Sequence, residues 1–313
     1  MMGISLEMLW TDYMIWGLML ALVVWSRLIS RSSQVRHQWL QIFESRLAMI
    51  SAILLMTYVM IALMDSVHFR LESTHESAQK SRSISGNQSL LDAVLPHLAA
   101  TQERTYSAPF ATQEYNKSLT ILANGEVEQR YRPLQHIDPT PIWTTAIEAL
   151  MIGLLISAVG IGVHLVWRAR RCRLTVRQAF YQAWQGQTRL PWRTAYATFA
   201  LVVVFLTSLY LFSQHYHVFG TDKVGGDVLY ESLKSIRTGV LIGVLTTLVM
   251  LPLALFLGIS AGLFRGWVDD VIQYLYTTLN SIPGVLLIAA AVLVMQTIMS
   301  HHPEWFNSTE ERA

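Results

Sequence analysis

The sequence predicts an all-α integral membrane protein of about six transmembrane helices, with a small extracytoplasmic insert that is mixed α/β or partly disordered. Three observations carry this. The 313 residues are 52% hydrophobic and only 14% charged, against a charged share of about 25% in soluble domains. The apolar residues are gathered into runs long enough to cross a bilayer core, which takes about 20 residues per helix. Arginines cluster in the short loops after the first and third runs, as the positive-inside rule requires. A net charge of +2 gives no footing for a nucleic-acid partner. The single cysteine, Cys172, excludes an intrachain disulfide and a multi-cysteine metal site.

The apolar runs are roughly 9–25, 47–64, 142–167, 195–212, 238–264 and 282–299. In lipid the backbone must satisfy its own hydrogen bonds, so each run is expected to be a helix. Tyr13, Trp16, Trp25, Trp143, Trp167, Tyr196 and Tyr210 lie near the ends of runs, where amphipathic rings favour the interface. The segment before the first run has no basic n-region, so that run is expected to be a retained span rather than a cleaved signal. Arg27, Arg31, Arg36 and Arg46 follow the first run, and Arg168, Arg170, Arg171, Arg173, Arg177, Arg189 and Arg193 follow the third. Both loops are therefore expected in the cytoplasm, which puts the N-terminus, 65–141 and 215–237 outside.

The insert 65–141 contains the Ser-rich run SAQKSRSISGNQS. Ser89 is placed to cap a short helix that Pro96 limits. SLTILANGEVEQRYRPL reads as a β-hairpin with Asn124-Gly125 at its tip. The insert either contacts a soluble partner or is a solvated connector, and the connector is the favoured reading. In the third run, Glu148 and His164 are ionisable groups at membrane depth. Each lies close enough to an interface to snorkel, the expectation here. Gly153, Ser157, Ala158 and Gly162 offer small-residue spacing for close helix contact. The loop 168–194 mixes its arginines with Phe180, Tyr181, Trp184 and Trp192. Val176, Phe180 and Ala183 share one helical face. It reads either as a helix on anionic lipid or as arginines that only set topology.

The most informative stretch is Phe219–Met299. Gly220, Thr221 and Asp222 form an outer turn, with Gly225 and Asp227 following, and Asp227 is placed to cap a helix. In that helix Leu229, Leu233 and Ile236 make an apolar stripe while Glu231, Lys234 and Arg237 face away, so it is expected to lie along the outer membrane surface, separate from the next span. That span carries Gly239-x-x-x-Gly243 and Gly258-x-x-x-Gly262, spacings for close helix packing. Pro252 within it is expected to kink the helix. Gly266, Trp267 and Asp269 open an interfacial helix, and Pro283 starts the sixth span, where a missing amide proton matters little. This order of parts reads as a solute-conducting subunit. His215 and His217 could share a metal only with a third ligand, and none accompanies them. No catalytic, cofactor-binding or metal-binding set is expected, and a phosphate-cradling GxxxxGK[ST] loop is absent from the sequence.

The segments GTDKVGGDVLYESLKSIRTGVLIG and AGLFRGWVDDVIQYLYTTLNSIPGVLLIA, in that order, resemble the permease subunits of peptide/nickel-type ABC importers. The matching residues are Gly220, Thr221, Asp222, Gly225 and Asp227; then Gly262, Gly266, Trp267 and Asp269; then Ile282, Pro283, Leu286, Leu287 and Ile288. Gly226 departs from the arginine usual in that family. The resemblance implies a multi-pass inner-membrane subunit of an ATP-driven importer for peptides or similar small solutes. Its partners would be a second permease subunit, cytoplasmic ATPase subunits that hydrolyse the ATP, an extracytoplasmic solute-binding protein and membrane lipid. It implies an outer gate turn at 220–227 and pathway helices shaped by Gly239, Gly243, Pro252, Gly258 and Gly262. Such permeases also carry a cytoplasmic EAA loop. No such segment occurs in the 313 residues, so the chain is expected to stop about halfway through the family's transport domain. The domain expectation is 1–64 as an N-terminal extension, 65–141 as the insert, 142–194 as a span with its basic loop, and 195–313 as the first half of a permease domain. A membrane sensor using the insert as its ligand-binding part is the alternative; it would need a cytoplasmic output domain, and no inner loop is long enough to supply one.

Overall fold

The computed structural model describes residues 4–6, 10–71, 88–121, 127–137, 140–186 and 188–302. The element order is β1 (Ile4–Leu6), α1 (Trp10–Arg31), α2 (Ser33–Glu44), α3 (Arg46–Asp65), β2 (His68–Leu71), β3 (Gln88–Ser89), α4 (Leu90–Val94), α5 (Pro96–Ala100), β4 (Ser118–Ile121), β5 (Val127–Arg130), α6 (Ile142–Cys172), α7 (Val176–Trp184), α8 (Trp192–Ser213), α9 (Val228–Leu263), α10 (Trp267–Asn280) and α11 (Gly284–His301). Among the described residues six helices, α1, α3, α6, α8, α9 and α11, are long and apolar enough to cross a membrane. The protein is an all-α, multi-span membrane protein with a few short strands.

The chain forms two compact units, Met1–Gly243 and Val244–Ala313. In the first, α6 packs along α8 because small residues let the backbones approach. A Cβ on Gly153 would lie 2.9 Å from the Val204 Cα, and one on Gly160 would meet the Phe199 ring at 3.0 Å. Ala149, Gly153 and Ser157 form the buried stripe, whereas Ala158 is exposed. Of the four small residues expected to make a contact face, Gly153 and Ser157 are buried, Ala158 is exposed, and a Cβ at Gly162 would have no neighbour within 4 Å. His164 does not snorkel: its Nδ1 is 2.9 Å from the Tyr196 hydroxyl on α8, among the rings of Trp167 and Trp192. In the second unit, α10 and α11 bury none of their residues, a state that suits lipid or neighbouring helices in a bilayer.

Three strands, β1, β2 and β3, pair antiparallel, with Ser5 opposite Arg70 and His68 opposite Ser89. Ser89 caps α4 and Asp92 returns the bond to the Ser89 amide, a reciprocal capping box. Pro96 then starts a separate short helix, α5. The hairpin forms from β4 and β5, with Ile121 opposite Val127; its Asn124-Gly125 tip lies outside the described residues, as does nearly all of the Ser-rich run. Thr175 and Gln178 form a second capping box at α7. That helix buries Ala179 and Ala183 and leaves Val176 and Phe180 largely exposed.

The outer surface helix expected after Asp227 does not form. The segment after Asp227 is not a separate surface helix but the first turns of the 36-residue helix α9. Neither glycine nor proline interrupts residues 228–238, so nothing ends the helix there. Its apolar stripe serves a core instead of the membrane surface. Leu229 joins Leu91, Leu95, Leu98 and Val218 in a buried cluster, with Leu233 packed against it. Burying each such side chain contributes on the order of 1.5–3 kcal/mol. Leu91, Leu95 and Leu98 of the insert are therefore packed into this core, contrary to the solvated-connector reading.

Candidate functional site

The turn at 217–227 is built from its own backbone first. Asp222 Oδ1 accepts from the Val224 amide (2.9 Å) and the Gly226 amide (2.7 Å), and the Asp222 amide donates to the Gly226 carbonyl (2.9 Å). This is the local bonding that favours Asp in turns. Gly220 and Gly225 hold φ of +77° and +85°, a region that L side chains avoid. Asp227 then caps α9: its Oδ1 accepts from the Leu229 amide at 2.8 Å and the Tyr230 amide at 3.2 Å.

The insert closes over this turn. The Glu103 amide donates to the Gly225 carbonyl at 2.9 Å, and the Phe110 amide to the His217 carbonyl at 3.0 Å. Thr221 donates its amide to the Ser107 hydroxyl (3.1 Å) and its own hydroxyl to the Thr105 carbonyl (2.8 Å). Contact is close enough to require glycine. A Cβ at Gly225 would sit 1.8 Å from the Glu103 carbonyl oxygen, and one at Gly220 would sit 2.3 Å from that of Ser107. At Gly226 a Cβ would meet only the ends of the Glu231 and Asp222 side chains, at 3.0 and 3.4 Å, so its space differs from that of its neighbour.

Beneath the turn lies a buried row of ionisable groups. His217 Nδ1 is 2.5 Å from Asp227 Oδ2, and its Nε2 is 3.7 Å from Glu103 Oε1. Glu103 also accepts from the Gln135 amide (3.0 Å) and the His136 amide (2.8 Å). Burial pushes the His217 imidazole towards its neutral form, but the bond to Asp227 and the charges of Asp227 and Glu103 outweigh it, so its pKa is raised. For Glu103, burial pulls upward while the Gln135 and His136 amides more than offset it, holding the carboxyl below its ordinary value. His217 is thus engaged by carboxylates, and no group of three metal-ligating side chains occurs among the described residues.

Two further ties join α9 to the rest of the unit. Asp92 of the insert accepts from the Tyr230 hydroxyl (2.7 Å) and pairs with Lys234 at 3.0 Å. Burial opposes its charge, yet the bonds from the Ser89 amide, Tyr230 and Lys234 keep its pKa lowered. Arg237 pairs with the fully buried Asp12 of α1 at 2.5 Å, donates to Thr11, and lies 3.8 Å from Asp65. Asp12 also faces Ser66 (3.1 Å) and His68 (3.0 Å). Arg237 therefore does not face away from the protein, and Lys234 is half-buried. An acidic residue in the first turn of an apolar run was the available signal for the Asp12 cluster.

The remaining motif residues stand as follows. Gly239 and Gly243, in the first unit, have open space where a Cβ would be. In the second, the same holds for Gly258 and Gly262, and α9 continues through Pro252. Gly266 (φ +82°) precedes α10, Trp267 is exposed, and Asp269 accepts from Gln273 at 3.3 Å. Pro283 occupies the N-cap of α11.

No family model and no solved structure matches the chain. Over 85 residues it is 32% identical to the glutathione transport system permease protein GsiD of Pectobacterium atrosepticum, covering 27% of this chain and 28% of that protein. Over 73 residues it is 32% identical to the oligopeptide transport system permease protein OppC of Mycobacterium bovis and of Mycobacterium tuberculosis, covering 23% of this chain and 25% of each relative. The chain thus matches about a quarter of the length of these relatives. Over that portion it is similar to the permease proteins of glutathione and oligopeptide transport systems.

Proposed function

We propose that this chain is a permease subunit of an ATP-driven importer for peptides or similar small solutes. The observation that supports it most is the similarity to permease proteins of two peptide-class transport systems, in a chain with six membrane-length helices. The chain carries no catalytic role; ATP is hydrolysed on separate cytoplasmic ATPase subunits. A second permease subunit completes the pathway, and an extracytoplasmic solute-binding protein delivers the solute. The protein resides in the bacterial inner membrane with its N-terminus outside. Residues 195–313 form the first half of the permease domain, 1–64 and 142–194 supply additional spans, and 65–141 is the outer insert. The turn at Gly220, Thr221, Asp222, Gly225 and Asp227 is the outer gate element. Gly239, Gly243, Pro252, Gly258 and Gly262 shape the pathway helices, and Gly266, Trp267, Asp269 and Pro283 set the inner helix and the next span.

The turn's geometry supports a mechanical role. The insert braces it from above through Glu103, Thr105 and Ser107, while Asp227 ties it to the start of α9. A displacement of α9 is thereby coupled to the insert. The test is affinity purification of the tagged chain from native membranes in mild detergent. An ATPase subunit and a second multi-span subunit are expected to co-purify in stoichiometric amounts. Recovery of the folded chain alone, from several detergents and from native nanodiscs, would contradict the assignment.

A further inference from the structure

We propose that the end of the first unit opposite the insert carries a binding site for one anionic phospholipid, with an acyl chain between α3, α6 and α8 and its phosphate on Arg168. A slot of about 270 Å³ opens there, lined by Met49 and Ile53 of α3, Gly160 and Ile161 of α6, and Ala195 and Phe199 of α8, with His164, Trp192 and Tyr196 towards its basic end. The lining is almost wholly apolar, as an acyl chain requires. Ala195 contributes room there, since a methyl group is too small to fill the slot.

Charge identifies the head group. Residues 168–194 contain seven arginines and no aspartate or glutamate. Among the described residues no carboxylate pairs with any of the seven. Their guanidinium groups rest on rings instead: Arg168 over Trp192 at 5.3 Å, Arg171 over Trp167 at 5.1 Å and Arg193 over Trp184 at 5.1 Å. Arg168 stands one helical turn beyond His164 and against Trp192, both at the slot. Its Nη1 is shielded from water and has no hydrogen-bond partner. A buried guanidinium nitrogen without an acceptor calls for one, and a phosphate oxygen supplies a charge-assisted hydrogen bond to it. Lysine or arginine anywhere near the surface attracts anionic lipid diffusely. Here the apolar slot beside a guanidinium with one unpartnered nitrogen makes the attraction a site.

The test is native mass spectrometry of the full chain released from nanodiscs of phosphatidylglycerol or of phosphatidylcholine. One phosphatidylglycerol is expected to be retained in preference to phosphatidylcholine, and inorganic phosphate should not displace it. Arg168→Gln should weaken retention about fivefold, the effect of one basic residue at the surface. Arg27→Gln, basic but away from the slot, should leave it unchanged. Ile53→Trp, which fills the slot, should abolish it. Melting in phosphatidylcholine nanodiscs identifies any variant that fails to fold, and Ile161→Trp replaces Ile53→Trp in that case. Equal retention of the two lipids, equal behaviour of the Arg168 and Arg27 variants, displacement by phosphate alone, or retention with the slot filled would each overturn the proposal.

Discussion

Replacing Gly225 by alanine should release the insert from the turn. The native φ of +85° is disfavoured for alanine by about 1–2 kcal/mol. The added methyl would also lie 1.8 Å from the Glu103 carbonyl oxygen and 2.4 Å from its carbon. Both are backbone atoms, so no rotamer change relieves the overlap and the chain around Glu103 must move. That movement breaks the 2.9 Å bond from the Glu103 amide to the Gly225 carbonyl, worth about 1 kcal/mol net. Together these amount to about 2–3 kcal/mol. Local opening would then be about 30-fold to 140-fold more frequent, at about 1.4 kcal/mol per decade. Amide hydrogen exchange at Glu103, Asp222 and Thr221 reads this directly. The internal control is Gly226→Ala, whose methyl meets only movable side-chain ends; its exchange should change less than about threefold, since surface-type changes stay within about 0.5 kcal/mol. If the two alanine variants exchange alike, the bracing of the turn by the insert is wrong.

Three other outcomes follow from the same contacts. Arg237→Gln removes one cation from the buried Asp12, which keeps Ser66 and His68, so the unit should lose less than the roughly 3–5 kcal/mol of a fully broken buried pair, while the double change with Asp12→Asn should recover part of the loss; thermal unfolding in detergent measures both. His217 has a raised pKa, so its contribution to docking is complete below its ordinary value of about 6.5 and fades as pH rises through the raised value; Glu103 has a lowered pKa, so its contribution is complete above about 4.3 and fades as pH falls through the lowered value. Exchange protection of the Glu103 amide should therefore be greatest between about pH 4.3 and 6.5 and weaken towards alkaline pH, and His217→Gln should remove the alkaline decline. A phosphatase fusion at residue 100 should be active and a fluorescent-protein fusion there dark; the reverse would invert the orientation.

Much of this was legible in the sequence because it is local. Six spans follow from length and hydropathy, and the hairpin pairing follows from alternation around a turn signal. What escaped depends on residues far apart in the chain. Asp12 meets Arg237, and Glu103 meets Gly225, only once the spans have packed. No periodicity encodes either pairing. The stripe Leu229, Leu233 and Ile236 was visible, but an apolar stripe does not say whether lipid or protein covers it. The insert, whose leucines cover Leu229, decides that. In the same way GxxxG spacing shows where helices can approach closely, yet a methyl added at Gly239 or Gly243 would have no neighbour within 4 Å, while the contact glycine of the helix pair is Gly153.

Uptake of a radiolabelled peptide by intact cells measures whether the chain takes part in peptide transport. Deleting the gene should abolish ATP-dependent accumulation of at least one short peptide, and the intact gene supplied in trans should restore it. The Gly225→Ala variant, present in the membrane at normal level, should restore it only in part. Accumulation of every peptide at the parental rate in the deletion strain would contradict the account.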